Sequence, residues 1–262
     1  MNLHNLLPRC SSAKILANVV FWWGEKNHND NYPWIGYDSA DPWVVDRQLS
    51  LMQAVGIDGV VGMYYGARDN FAHQFAGFKE MAIQCHKRGM TFFPQFDAGM
   101  LTWRPDKSVS ELDEIKWNRD YLRDFFDAEI FDFPKYLLNF GLPDFAVPEE
   151  TILLNKHTGF TWPETVAPLI VLENEYRNSK PPIGCMFFQF DDHQRAPGGD
   201  PTKSVWGGPA RYHDAYNGQT LIQSAALTTP YQEYVQLVTW NDYEEGTAME
   251  SMLAGLMGMR IA

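Results

Sequence analysis

Two acidic residues near the end of the sequence have a spacing that suits general acid–base chemistry. Asp242 and Glu245 stand three residues apart in the segment WNDYEEGT, which covers positions 240–247. If the chain turns there, both carboxyl groups face one cleft, where one can donate a proton and the other accept one. We expect hydrogen bonds to hold the pKa of Asp242 low, and burial beside that charge to raise the pKa of Glu245. A solvated acidic turn on the surface would show the same spacing of acids. The neighbouring residues must therefore distinguish a catalytic pair from such a turn.

Aromatic residues are unusually frequent in the chain. It contains 9 Trp, 12 Tyr and 17 Phe, which together make 15% of its residues. Trp and Tyr rings combine an apolar face with a polar edge, which suits stacking on a sugar, whereas a core needs few Trp. A large core alone could explain part of the excess. Because glycoside hydrolysis needs two carboxyl groups beside the scissile bond, the composition and the acidic pair point toward carbohydrate.

Alternating apolar runs and amphipathic stretches predict the elements that must position these residues. Apolar runs of strand length cover 14–23, 57–66, 90–97, 183–190 and 234–240, and helical periodicity or capping residues mark 41–56, 70–88, 110–130 and 218–227. A short strand is expected near Phe145, and 167–172 fits either a strand or the start of a helix. The polar stretch 191–208 is a long loop, which suggests a functional role.

The order of strands and helices predicts an α/β fold with right-handed βαβ units and a parallel sheet. Such a sheet is either doubly wound or closed. No GxGxxG or GxxxxGK[ST] motif occurs in the sequence, which lowers the odds of a nucleotide-binding doubly wound fold. We therefore expect one (β/α)8 barrel domain over 1–262, short or irregular because only six or seven of eight strands can be placed.

In a barrel, functional residues gather where the strands end, at the carboxyl edge of the sheet. Aromatic and polar residues follow each predicted strand at that edge and form the candidate substrate-binding set. The set consists of Trp22, Trp23, Tyr37 and Asp38; Tyr64 and Tyr65; Asp97; Gln189, Asp191 and Asp192; and Trp240, Asn241 and Tyr243.

Charge and motif content exclude several other classes of function. The net charge of -12 disfavours nucleic acid and anionic membranes as partners. No apolar stretch is long enough for a membrane helix, and no secretory signal is expected from the first residues. Three scattered cysteines and the absence of HxH and HExxH motifs argue against a catalytic metal, and no cofactor is expected. A metal site at Asp191, Asp192 and His193 stays as an alternative.

The sequence also resembles a known group of enzymes. The segment VTWNDYEEGT at 238–247 resembles the TWNDYGE(G/S) segment of glycoside hydrolase family 71, the α-1,3-glucanases, and the NEWHEGT segment of family 99, the endo-α-mannosidases and endomannanases. The stretches YPWIGYDSADP at 32–42 and QLSLMQAVGIDGVV at 48–61 are similar to the N-terminal portion of family 99-like proteins. The middle, about 101–182, matches loosely.

The resemblance implies a (β/α)8 barrel that hydrolyses an α-linked glucan or mannan within a polysaccharide or oligosaccharide. Asp242 matches the first catalytic carboxylate and Glu245 the second, which is the general acid. Asp97 falls where members place another acid after the third strand. Met63 stands where the family 99 pattern has Asp, so one substrate contact is missing or moved. Asp242 is shorter than the Glu of family 99, which favours the family 71 pattern.

These departures leave a second hypothesis open beside the hydrolase. A degenerate barrel could bind glycan without cleaving it, and Met63 is the residue that motivates this reading. The stereochemical course also stays open, because family 71 is associated with inversion and family 99 with retention through a neighbouring group. The sequence does not give the sugar, the linkage or the place where the protein works.

Overall fold

The computed structural model describes residues 2–24, 36–66, 71–96, 183–193, 199–205 and 208–250. The expectations for a helix over 110–130, a strand near Phe145 and the segment 167–172 lie outside these residues, and so does Asp97. The described strands are β1 (Lys14–Val19), β2 (Gly59–Tyr64), β3 (Thr91–Phe96), β4 (Ile183–Phe187), β5 (Phe190–Asp191), β6 (Tyr212–His213) and β7 (Tyr234–Val238). The described α-helices are α1 (Pro42–Ala54), α2 (Ala72–Lys87) and α3 (Gln219–Ala226).

Five of the strands form one sheet in the order β3-β2-β1-β7-β4. Every pair in it is parallel, as the βαβ order predicted. In a doubly wound sheet, successive strands move outward from β1 on each side. Here the last strand, β7, lies directly beside β1, and the earlier β4 lies beyond it. Strands that return toward the first strand in this way follow the order of a closed barrel.

Contacts across the sheet show that it curls inward. The Phe93 ring on β3 and the Tyr234 ring on β7 have centroids 5.6 Å apart. In a flat sheet these strands, three positions apart, would lie about 14 Å from each other. The Asn18 amide on β1 also reaches the Gln95 side-chain oxygen on β3, at 2.5 Å, across the intervening β2. The concave face therefore brings together side chains from strands that are not neighbours.

The strands are buried on both faces, which explains their nearly continuous apolar sequences. Side chains alternate between two clusters. The concave face carries Leu16, Val61, Phe93, Cys185, Phe187 and Val238. The convex face, against the helices, includes Ile15, Val60, Phe92, Met186 and Leu237. This period of two fixes which residues beyond the strand ends face the interior.

The helices begin and end close to the positions that the sequence predicted. Asp41 caps α1 by accepting a hydrogen bond from the Trp43 N–H at 2.8 Å, and Pro42 occupies the first turn. After α1, Gly56 adopts φ +88°, a conformation that favours glycine, and a Cβ there would lie 2.2 Å from the Asn2 side-chain oxygen and force it to move. α2 begins at Ala72, and α3 begins after Gly218.

Two segments differ from the sequence-based expectation. The predicted strand over 183–190 ends at Phe187, and the chain re-enters a short antiparallel pair, β5–β6, in which Asp191 pairs with Tyr212. The stretch predicted as a long loop therefore contains the connection between two strands. Within its described residues the backbone N–H groups of Asp192, Ser204 and Val205 donate to carbonyls of Arg211, Gly208 and Asp192, a pairing that sequence patterning does not reveal. No helix among the described residues has the length and apolarity needed to cross a bilayer.

Phe78 on α2 is expected to be the largest single contributor to the helix–sheet interface. Its ring contacts those of Phe21, Tyr64 and Phe92 at centroid distances of 5.8, 5.5 and 5.1 Å. Phe78→Ala should lower the free energy of unfolding by about 3–5 kcal/mol, because it leaves a cavity among rings that cannot collapse. Urea denaturation measures this, with the exposed Trp43→Ala as control. Equal stability of the two variants would contradict the assignment.

Candidate active site

The segment after β7 forms a closed turn. The Thr239 and Thr247 hydroxyls lie 2.8 Å apart, and the Thr247 N–H donates to the Asp242 carbonyl at 3.1 Å. Thr239 Oγ1 also accepts from the Asp242 N–H at 3.0 Å. Gly246 has φ +60°, the left-handed conformation that lets the chain fold back. The two threonines therefore hold both ends of the turn that carries the predicted carboxylate pair.

The Asp242 carboxyl group is fully buried and fixed at one oxygen. Its Oδ1 accepts hydrogen bonds from the N–H groups of Glu244 and Glu245, at 2.9 and 3.1 Å. Its Oδ2 accepts no hydrogen bond within the described part of the chain. One oxygen is thus anchored by the backbone and the other has no hydrogen bond among the described residues, an asymmetry that suits proton exchange in a set direction.

The expectation of a low pKa for Asp242 was wrong. Burial raises the pKa of the Asp242 carboxyl well above its usual value, and the charge of Glu245 raises it further. The two backbone hydrogen bonds lower it but do not offset the burial. The sequence showed the hydrogen-bonding turn and not the depth of burial, and desolvation is the larger effect.

Glu245 lies on the turn where the ends of β4 and β7 meet. Glu245 is 7% exposed, whereas Asp242 is fully buried. The Asp191 N–H donates to the Glu245 carbonyl at 2.7 Å, and the Gln189 side-chain amide donates to the Gly246 carbonyl at 2.6 Å. The structure therefore brings together predicted site residues from two different strand ends, as the barrel expectation required.

Asn241 joins this turn to the segment that follows β1. Its side-chain oxygen accepts from the Val20 N–H and its amide donates to the Val20 carbonyl, both at 2.9 Å. The Trp23 indole N–H donates to the Asn241 carbonyl at 3.0 Å. Asn241 and Trp23 were both predicted to bind substrate. The polar groups that would do so are engaged in holding the two segments together.

Glu250 is a buried carboxylate that the sequence analysis missed. Its Oε2 accepts hydrogen bonds from the Tyr37 and Tyr243 hydroxyls, at 2.9 and 3.1 Å, and its Oε1 accepts from the Gln48 amide at 3.3 Å. Burial raises the pKa of Glu250 to about 7, although these three hydrogen bonds act to lower it. Nothing in the sequence around Glu250 distinguished it from a surface acid, because its partners come from distant positions.

Aromatic residues surround the turn: Trp22 and Trp23 are buried, and Tyr65 and Tyr243 are partly buried. The Trp22 and Tyr65 rings have centroids 5.7 Å apart, and those of Trp23 and Tyr243 lie 5.6 Å apart. Met63 packs in the same cluster with Trp22 and Trp23. Trp22, Tyr37, Tyr65 and Tyr243 are therefore placed together at the carboxyl edge of the sheet, beside the carboxylates.

Other predicted binding residues belong to the core. Tyr64 is buried on the convex face, where its ring contacts Phe75 and Phe78 at centroid distances of 5.9 and 5.5 Å. It alternates with Met63, which faces the site, so the strand's period of two separates them. Trp240 is also fully buried, and its carbonyl accepts from the Met249 and Glu250 N–H groups. Both side chains belong to the core cluster of the convex face.

The carboxylate of Asp192, which was predicted to bind substrate, is engaged in holding a loop. This buried carboxylate accepts from the Ser204 hydroxyl at 2.7 Å and from the Arg211 N–H and Nε at 2.6 and 2.8 Å. Burial raises its pKa, yet these hydrogen bonds and the Arg211 charge leave it below its usual value. Asp192 thus fixes the loop rather than facing ligand. It turns away from Asp191 and His193, so the three do not form the metal site of the alternative hypothesis.

Asp38 lies at the edge of the site. Its Oδ1 accepts from the Ala40 N–H at 2.7 Å and lies 3.4 Å from His73 Nε2, which also contacts the Trp23 carbonyl at 2.9 Å. The half-exposed carboxylate therefore shapes the loop before α1. Among the described residues, no cluster of three or more His, Cys, Asp or Glu side chains is arranged to hold a metal ion.

Comparisons with known proteins show the fold. No protein-family model matches the sequence, and no curated protein matches it. A glycoside hydrolase family 99 endo-α-mannosidase from Bacteroides thetaiotaomicron, solved in complex with bis-tris-propane, superimposes with a TM-score of 0.52 at 14% identity, covering 92% of this chain and 87% of that chain. The chain thus has a family 99-like α/β barrel fold, and the predicted fold class is confirmed. Its treatment as a single domain stays a prediction.

Two further structures are similar at lower scores. One is another structure of the Bacteroides thetaiotaomicron family 99 endo-α-mannosidase, with a TM-score of 0.47, 13% identity and coverage of 92% and 88% of the two chains. The other is a glycoside hydrolase-like protein, with a TM-score of 0.47, 12% identity and coverage of 95% and 92%. At these scores neither adds to the argument.

Glu250→Gln is expected to flatten the pH dependence of stability. The folded chain holds the Glu250 proton more tightly than the unfolded chain, because the pKa rises from 4.5 to about 7. The stability this group contributes is therefore complete below pH 4.5 and is lost as the pH rises through about 7. At about 1.4 kcal/mol per pKa unit, the loss is on the order of 3 kcal/mol.

Urea denaturation at about eight pH values between pH 4 and pH 8 measures this effect. Glu250→Gln should show a shallower fall in the free energy of unfolding than the wild type. Glu233→Gln makes the same chemical change at an exposed position and should keep the wild-type slope. If Glu250→Gln and the wild type have parallel curves, the raised pKa is contradicted.

Proposed function

We propose that this chain is a glycoside hydrolase that cleaves an α-linked polysaccharide, of the α-glucan or α-mannan type, within the polymer. The observation that carries the proposal is the geometry of Asp242. A buried carboxyl group has one oxygen anchored by two N–H groups and lies beside a second carboxylate, Glu245, at the end of the last strand. This is the edge where (β/α)8 enzymes place their catalytic residues.

The two carboxyl groups differ in ways that suit different roles. The anchored Oδ1 of Asp242 fixes the direction of Oδ2, which suits a carboxylate that accepts a proton from the attacking group. Glu245 has the longer side chain and the larger exposed fraction, which favours it as the acid that reaches the leaving oxygen. The assignment of Glu245 as general acid agrees with the resemblance to families 71 and 99.

The surrounding aromatic residues support a glycan as the substrate. Trp22, Tyr37, Tyr65 and Tyr243 provide ring surfaces around the carboxylates. Such a mixture of apolar surface and a few placed polar groups is typical of sites for small polar ligands. The endo-α-mannosidase with the similar fold makes an α-mannan the first substrate to test.

Removal of either carboxylate is expected to abolish hydrolysis without unfolding the chain. Asp242→Asn keeps an oxygen that can accept the two backbone N–H bonds, and Glu245→Gln is nearly isosteric. Each should lower kcat by at least about 100-fold, the lower range of general acid–base catalysis. Release of reducing sugar from yeast α-mannan and α-1,3-glucan measures the rate, with circular dichroism as the folding check.

Glu244→Gln is the matched control for this experiment, since it removes a buried carboxylate from the same turn. Its rate should stay within a few-fold of the wild-type rate. Wild-type activity in both Asp242→Asn and Glu245→Gln would reject the catalytic pair.

The roles of the two residues can be separated with an activated leaving group. A 2,4-dinitrophenolate leaves without help from an acid, so the defect of Glu245→Gln should shrink by about 100-fold or more on a dinitrophenyl oligosaccharide. The defect of Asp242→Asn should stay large, because the base acts on the other side of the sugar. If the defect of Asp242→Asn shrinks and that of Glu245→Gln stays large, Asp242 is the acid and Glu245 the base. NMR of the first-formed anomer distinguishes inversion from retention.

Met63 favours one second candidate, a barrel that binds glycan without cleaving it. Its side chain packs against Val20, Trp22 and Trp23 and presents no charge at a position where the family 99 pattern has an acid. Under this alternative, isothermal titration would detect oligosaccharide binding while no product forms. Product formation by the wild type decides against it.

A further inference from the structure

The β5–β6 pair presents a polar and aromatic face that has no role in the carboxylate turn. Asp191 and Tyr212 are cross-strand partners, so their side chains lie on one side of this small sheet. His193 lies two residues beyond Asp191 and joins them there, with ring centroids of His193 and Tyr212 6.3 Å apart. We name these three residues the hairpin face.

The other side of the same pair is a structural support. Phe190 is buried and lies under the Arg211 guanidinium, whose carbon is 5.2 Å from the ring centroid. Arg211 is held in turn by Asp192, as described above. This support fixes the hairpin face, so that a ligand meeting it would find an ordered surface and would lose little affinity to ordering.

The chemistry of the hairpin face suits a sugar ring. Tyr212 is 55% exposed, so its ring is open to a ligand. The His193 Nδ1 bonds the Asp191 carboxylate, and its Nε2 has no hydrogen-bond partner within the described part of the chain. The His193 side chain is 38% exposed. An open ring beside a placed imidazole and a carboxylate offers stacking and hydrogen bonding to hydroxyl groups together.

The hairpin face is continuous with the candidate active site. The Asp191 N–H donates to the Glu245 carbonyl at 2.7 Å, so the face begins one hydrogen bond away from the carboxylate turn. β5 also follows β4 at the carboxyl edge of the sheet, on the same end of the molecule as the turn. A polymer held across Glu245 would extend over this surface.

We propose that the hairpin face is a subsite that binds a sugar ring of the glycan, next to the carboxylate pair, with Tyr212 as the stacking surface and His193 and Asp191 as hydroxyl partners. The proposal rests on the proposed function for the class of ligand. With this subsite, longer oligosaccharides bind more tightly than short ones that do not reach it.

Tyr212→Ala tests the subsite, with Tyr231→Ala as the matched control. Tyr231 is 87% exposed and lies just before β7, at the opposite end of the sheet. Isothermal titration would use α-manno-oligosaccharides and α-1,3-gluco-oligosaccharides of about two to six units, with Glu245→Gln as the background to prevent turnover. Tyr212→Ala should weaken binding of the longer ligands about tenfold, which is about 1.4 kcal/mol, and leave the disaccharides unchanged. Tyr231→Ala should bind like the parent.

The outcomes separate the two proposals. Equal binding by Tyr212→Ala and its parent overturns the subsite, even if the wild type hydrolyses these glycans. Weaker binding by Tyr212→Ala with no hydrolysis by the wild type supports the subsite and rejects the hydrolase. If the parent binds no oligosaccharide in the series, the subsite is overturned as well.

Discussion

The pair of hydrogen bonds between Asn241 and the Val20 backbone is the constraint on which the site depends. β1 and β7 are neighbours in the sheet, and their regular pairing ends at Ala17 and Leu237. Beyond that point the Asn241 side chain takes the place of a neighbouring backbone. Its oxygen accepts from the Val20 N–H and its amide donates to the Val20 carbonyl. The first and last strands are thereby kept together into the loops. Asp242 follows directly, so its position is set by this contact.

The cost of this arrangement is the burial of negative charge. Asp242, Glu244 and Glu250 are all buried within nine residues of one chain segment. Removing carboxylates from water is expensive unless they are hydrogen-bonded or protonated. The structure uses both means. Backbone N–H groups bond Asp242, two tyrosine hydroxyls bond Glu250, and the pKa values of both carboxyl groups are raised. Burial of several carboxyl groups in one short segment therefore opposes folding.

The fold could be predicted from sequence to a large extent because its signals are local. Asp41 and Pro42 mark the start of α1, and continuous apolar runs mark strands buried on both faces. The location of the carboxylate pair at the end of the last strand followed from the same patterns. Depth of burial could not be predicted, since it depends on contacts far apart in the chain. For that reason Tyr64 and Trp240 were assigned to substrate, and Glu250, whose partners include Tyr37, was missed.

Met63 acquires a physical meaning from the same charge balance. An acid at this position, beside Trp22 and Trp23 and on the concave side of the sheet, would add another buried negative charge to a site that already holds several. Like charges raise each other's pKa values and destabilise the fold. With Met63 the wall stays apolar, and under the proposed function a substrate would meet ring faces there. A substrate read by shape and stacking in this way need not be the one that an acid at this position would select.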